Sequence, residues 1–157
     1  MNTSAFSVID VAKQEFVGAV LVDEPDRGAA GIWSIACDDK HIFITHSGTH
    51  EVSVIDHPAM LAKFESYKDK SRLDYDLNFL YGLRERVTLQ GNGPRNFIFS
   101  GDKLIIPTYF ADILNTVDIN TLEVTATDMN PGRTETPENK GEKYLTTQII
   151  AIKLAEL

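Results

Sequence analysis

Residues 31–56 read GIWSIACDDKHIFITHSGTHEVSVID and residues 93–118 read GPRNFIFSGDKLIIPTYFADILNTVD, and the two segments align end to end without a gap. Each copy opens on glycine, runs through an apolar strand and turns at a polar pair, Asp39-Lys40 in one and Gly101-Asp102 in the other. A second apolar strand follows, then a polar corner, then a third strand that ends in Asp56 or Asp118. Both sides of these strands are apolar, with Ile42 and Ile44 on one side alternating with Phe43 on the other, so the small sheet has two faces to bury. It cannot bury both by itself. A unit of this kind stacks on its neighbours, as the blades of a propeller do.

The third strand occurs three times: Ser7-Val8-Ile9-Asp10, Ser53-Val54-Ile55-Asp56 and, degenerate, Asn115-Thr116-Val117-Asp118. The spacing from Asp10 to Asp56 is close to one four-stranded blade of about 45 residues, and the spacing from Asp56 to Asp118 is longer by roughly 16 to 20 residues. The opening run FSVIDVAKQEFVGAVLV is a hairpin that supplies only the third and fourth strands of a blade. After Asp56 the period becomes helical: Pro58 suits a first turn, Met60, Leu61 and Phe64 form one stripe, and Leu73, Leu77, Leu80 and Tyr81 form a second that stops at Gly82. Between the stripes SYKDKSR reads as polar and mobile, and Arg84-Glu85-Arg86 reads as a solvated connection into the outer strand Val87-Thr88-Leu89. The predicted fold is all-β: a partial β-propeller of about two and a half four-stranded antiparallel blades, some ten strands in all, with a short helical insertion. Its predicted limits are residues 1–129, with the insertion at about 57–83, followed by a linker and tail over residues 130–157. Within that tail LTTQIIAIKLAEL suits either a strand or a short helix.

Composition narrows the partners. A net charge of −8 and an isoelectric point near 4.9 are unsuited to nucleic acid, whose phosphates need a basic surface. No apolar run reaches the roughly 18 residues of a membrane helix, and MNTSAFSVID lacks the basic and apolar regions of a signal peptide. The expectation is a cytoplasmic chain, as written, that contacts neither nucleic acid nor membrane. The single cysteine, Cys37, falls in an apolar strand and is expected to serve as a small core residue.

Four residues are candidate ligands on the loop face: His46, His50, Asp26 and Arg95. The corner His46-Ser47-Gly48-Thr49-His50 sets two imidazoles about a short turn, a pattern that suggests a metal. No third ligand stands nearby in sequence, and the matching corner reads Thr108-Tyr109-Phe110-Ala111-Asp112. His46 is therefore expected to hydrogen-bond within the corner, His50 to sit at its surface, and no metal to be held. Asp23, Glu24 and Asp26 make an acidic linker, read as solvated in preference to a cation site. The glycine-rich GNGPR leads into no helix, which weakens a phosphate reading. Its Arg95 stands where the first copy has Trp33. Tyr109 and Phe110 are expected to pack into the core, and no catalytic residue is expected.

The blade pattern resembles the YVTN β-propeller repeat, through Phe43-Ile44-Thr45-His46 and Ser53-Val54-Ile55-Asp56, with His in place of the repeat's Asn. MNTSAFSVIDVA, DRGAAGIWSIAC, THSGTHEVSVID, DLNFLYGLRERV and GNGPR are similar to the propeller part of bacterial secreted proteins that continue into a cytochrome c peroxidase-like haem region. GAAGIW departs from the Asn-Pro usual before the Trp in that family. The resemblance implies a periplasmic or secreted parent, with blades before Met1 and Cys-x-x-Cys-His motifs after residue 142, so the chain looks like a fragment truncated at both ends. With Cys37 alone no c-type haem attaches, and no cofactor is expected. The leading expectation is a non-enzymatic scaffold or interaction module. Its alternatives are a metal or small-ligand site at the loop face, or a remnant of a propeller hydrolase or lactonase. Partners are expected to be a second copy, the remaining blades or another protein. An apolar face left bare on the last blade, drawn from Phe97, Phe99, Ile105 and Ile106, would be covered by such a partner or by residues 145–157.

Overall fold

The computed structural model describes residues 3–131. Its first sheet is a hairpin, β1 (Ala5–Asp10) against β2 (Glu15–Leu21). The second is a four-stranded antiparallel sheet in simple order, β3 (Ile32–Cys37), β4 (His41–His46), β5 (Glu51–Asp56) and β6 (Arg84–Thr88). The third repeats that order with β7 (Ile98–Ser100), β8 (Lys103–Pro107), β9 (Ile113–Asp118) and β10 (Val124–Asp128). Helices α1 (His57–Ser66) and α2 (Lys70–Leu73) lie between β5 and β6. The chain is thus mostly β, a half-blade and two full blades of a partial propeller. No described helix is long and apolar enough to cross a membrane.

Blade 1, made of β3 to β6, is buried on both faces, because the two-residue period of its strands carries apolar groups on both sides. Ile42, Ile44 and Ile55 pack with Val20 and Val22 of the half-blade and with the insertion's Met60, Phe64 and Phe79. On the opposite face Phe43, Val52 and Val54 pack with Leu104, Ile106 and Val117 of blade 2. Phe43 meets Phe97 and Phe99 edge-on, at centroid distances of 6.4 and 5.6 Å. Side chains of this size stabilise the junction by roughly 1.5–3 kcal/mol each when fully buried.

The insertion starts as its sequence suggests, with Asp56 capping α1 by accepting a hydrogen bond from the Ala59 N–H at 2.9 Å. Its second half differs from the reading above. The second helix is Lys70–Leu73, which runs from the stretch read as polar and mobile to the first residue of the second stripe, and Asp69 caps it through the Ser71 N–H. Leu77 to Tyr81 form successive turns instead, and Tyr81 is 85% exposed. Of the stripe, Leu73 and Leu80 are buried but Tyr81 is not, whereas Phe79, outside the stripe, becomes fully buried.

Three further expectations are corrected. Cys37 is exposed, at the end of the edge strand β3, where Ile35 on the same face is exposed as well. Phe110 is 62% exposed at its corner and outside the core. Ile106 is fully buried, and Phe97 and Phe99 pack against blade 1. Of the four, Ile105 does lie in the outward row of blade 2, half-buried beside Ile98 and Leu114. The reading of residues 145–157 lies outside the described residues.

Candidate functional site

The linker from the half-blade to blade 1, the corner between β4 and β5, and the start of β6 meet in a charged network that the sequence reading took for solvated loops. In a strand, residues two apart share a face, so Arg84 and Arg86 of β6 both turn towards the linker while Glu85 stays exposed. Arg84 donates to the Val22 carbonyl and the Glu24 carboxylate. Arg86 donates to Glu51, to Glu24 at 3.2 Å and to the Gly28 carbonyl at 2.7 Å. Glu51 also accepts from Arg27 at 3.0 Å and from the Thr49 hydroxyl at 2.8 Å.

The side chains of Glu51, Arg84 and Arg86 retain only 1%, 1% and 4% of their exposure. Burial alone would raise the pKa of Glu51, but the hydrogen bonds from Arg86 and Thr49 and the charges of Arg86 and Arg27 outweigh it and hold the carboxyl below its ordinary value. Glu24 is lowered in the same way, with Arg84 and Arg86 overcoming its desolvation. Every charge in this network is paired, and its effect is to clamp the linker to blade 1.

The four residues singled out in the sequence have separate surroundings. His46 is fully buried on β4, with Nε2 2.8 Å from the Ser53 hydroxyl across the sheet. Burial lowers its pKa to about 4, against the opposing pull of Glu51, so the ring is neutral. His50 is half-buried, and its Nδ1 accepts the Gly93 N–H at 3.1 Å, which ties the blade 1 corner to the entrance of blade 2. Asp26 sits exposed in the linker, while its neighbour Asp23 accepts from the Ser4 and Ala29 N–H groups at 2.5 and 2.7 Å. Among the described residues no group of three or more His, Cys, Asp or Glu is arranged to hold a metal ion.

Arg95 has an unusual environment. Its guanidinium carbon lies 3.4 Å from the Tyr109 ring centroid and 4.1 Å from that of Trp33, with Phe110 at 5.7 Å. Local structure explains the approach. The register between β3 and β4 shifts at Trp33, because Ile32 pairs with His46 and Ser34 with Thr45, so the indole occupies a bulge. The Thr45 hydroxyl donates to the Arg95 carbonyl and pins the second copy's bulge-equivalent residue beside the first. Gly93, at φ +73°, passes against Phe110, where a Cβ would lie 2.5 Å from Cδ2. Tyr109 and Phe110 then donate their backbone N–H groups to the Gly93 and Asn92 carbonyls at 2.9 and 3.1 Å. The sequence signal for this site was the repeat itself, which put Arg95 at Trp33's position. What it lacked was the corner residues' orientation.

Stacked four-stranded antiparallel blades that share apolar faces define a β-propeller-like chain. One solved structure that it matches is the hydrazine synthase of Kuenenia stuttgartiensis, a β-propeller-containing protein, with a TM-score of 0.61 and 21% identity. The match covers 80% of this chain and 35% of that one, so this chain spans about a third of its length. At that identity the likeness is one of fold. No protein-family model and no curated protein matches the sequence.

Proposed function

We propose that this chain is a non-enzymatic scaffold or interaction module built from β-propeller blades of the YVTN type, whose parent resembles a haem-linked periplasmic protein. The observation that carries the reading is the junction of Phe43 with Phe97 and Phe99, which stacks one blade on the next. The linker's charges support it, because Glu24, Glu51, Arg84 and Arg86 are paired with one another and hold the stack together. The proposal takes residues 1–129 as the propeller part and 130–157 as linker and tail. Its partners are further blades, a second copy or another protein, and the net charge of −8 argues against nucleic acid. The competing hydrolase or lactonase reading needs a metal held by carboxylates. Melting curves with and without Ca²⁺, Zn²⁺ or Mn²⁺, alongside lactone and ester hydrolysis assays, test between them. The scaffold reading expects unchanged melting and background hydrolysis, and turnover that requires metal and is lost on chelation overturns it.

A second reading, binding of a small ligand at the loop face, is favoured by the stacked guanidinium of Arg95 between Trp33 and Tyr109.

A further inference from the structure

We propose that Arg95 and the aromatic side chains around it form a binding site for a monocarboxylate with an apolar body. The inference rests on the loop-face reading above and is independent of the scaffold reading.

A guanidinium is planar, with its five N–H donors in the plane and its faces free to stack. Here the faces are taken by Tyr109 and Trp33, which leaves the hydrogen-bonding edge as the functional part. That edge makes no described hydrogen bond, and Nε is buried without a partner. Arg84 also has a buried Nε without a partner, but its terminal nitrogens, like those of Arg86, are matched to a glutamate, and those of Arg95 are not. A donor left unmatched is costly, more so when charged, and a ligand that supplies the acceptor relieves that cost. A carboxylate accepts two parallel N–H bonds from such a fork.

The surroundings set the rest of the ligand. Trp33 is 50% exposed and Phe110 62%, so two aromatic surfaces flank the charge and suit an apolar body. The site carries one described cation in a chain of net charge −8, which favours a monoanion over phosphate or a polyanion. Its components come from the inner strand of blade 1, the entrance to blade 2 and the corner between β8 and β9, a meeting of loops of the kind that carries ligands on rigid scaffolds.

Trp33 is the only tryptophan, so its emission reports on this site. The test titrates the full chain with benzoate, as a free acid, and with N-acetylphenylalanine, as a chain-end carboxylate, using benzamide and N-acetylphenylalanine amide as neutral controls. The expected result is a saturable emission change with at least one of the acids and none with the amides. The acid that gives it identifies the source as a small acid or a peptide terminus. Arg95→Gln is expected to weaken binding by about tenfold or more, and Arg95→Lys to recover only part of it because the fork is lost. Should Arg95→Gln unfold, Phe110→Ala at an exposed position is expected to weaken binding several-fold while leaving the melting curve in place. No saturable change with either acid, equal binding of acids and amides, or unaltered affinity in a folded Arg95→Gln protein would overturn the proposal. The scaffold reading would survive each of those results.

Discussion

Glu51 is a carboxylate with 1% of its exposure left, paired with Arg27 and with Arg86, which it shares with Glu24. Replacing it with alanine leaves Arg86 buried with an incomplete set of partners, and breaking such a pair costs about 3–5 kcal/mol. Urea unfolding of Glu51→Ala is expected to show that loss, whereas Glu85→Ala, on the exposed side of the same strand, is expected to stay within about 0.5 kcal/mol of the parent. Equal effects would mean that the network is as solvated as its sequence suggests. His46 gives a separate test through pH. Its folded pKa, about 4, lies below the ordinary 6.5, so between those values the unfolded chain binds a proton that the folded one does not. Stability from this group is therefore complete above pH 6.5 and falls as pH drops towards 4, by roughly 3 kcal/mol at most. Glu24 and Glu51, lowered from 4.5, lose their contribution only below that pH, so these two carboxylates add nothing to the slope between 4.5 and 6.5. Melting temperature in His46→Gln is expected to be flatter across it, and an unchanged slope would remove His46 as the source. The sequence showed both histidines and the Arg-Glu-Arg run, but residue types alone do not say which way a side chain turns. Only the two-residue period, which puts Arg84 and Arg86 on one face, hinted at the pairing.

At the level of elements, the repeat made most of the β architecture legible, because a blade's strands are short, local and antiparallel, and the same pattern appears in both copies. The insertion was less legible. Leu73, Leu77, Leu80 and Tyr81 satisfy helical spacing, yet Asp69 caps a helix four residues long, and the chain then closes in turns that bury Phe79 against Phe64 and Tyr67. Tertiary contacts with the half-blade, among them Gly18 beside Phe64 and Leu73, outweigh a marginal helical preference. Glycines at two element boundaries separate backbone cost from packing cost. Gly82 has φ +75° with open space where a Cβ would stand, while Gly93 has φ +73° with Phe110 in that space. Gly82→Ala is expected to cost about 1–2 kcal/mol from the left-handed backbone alone. Gly93→Ala is expected to cost more and to displace Phe110, visible as altered Trp33 emission as well as a lower melting temperature. Equal losses in the two variants would show that the aromatic corner yields freely and does not fix the Arg95 stack.

The whole molecule is governed by which faces are left without a neighbour. Blade 1 is covered on both sides, but the β1–β2 hairpin packs only one of its faces against the helices. On the other face Ile9 and Phe16 oppose one another across the strands at 59% and 62% exposure, with Val11 beyond them at 84%. At the other end the outward row of blade 2 runs through Ile98, Ile105 and Leu114. Among the described residues β1 also keeps an open edge, with β2 as its one strand partner, and an unpaired edge next to an apolar face invites pairing with another chain. Covering Ile9 and Phe16 contributes roughly 1.5–3 kcal/mol per side chain, a substantial part of a domain's usual margin of about 5–15 kcal/mol. A second copy brings the same face at the same concentration, so the full chain is expected to self-associate, and association should raise its melting temperature with concentration. Phe16→Lys is expected to shift sedimentation towards the monomer without harming the packed face, because residue 16 points away from the helices' core. Glu85→Gln, a charge change of the same sign and size at an exposed position on β6, serves as the control and is expected to leave association unchanged. A single sedimenting monomer across about a hundredfold range of concentration, with a melting temperature that does not move, would mean that the half-blade is stable with its apolar pair in water.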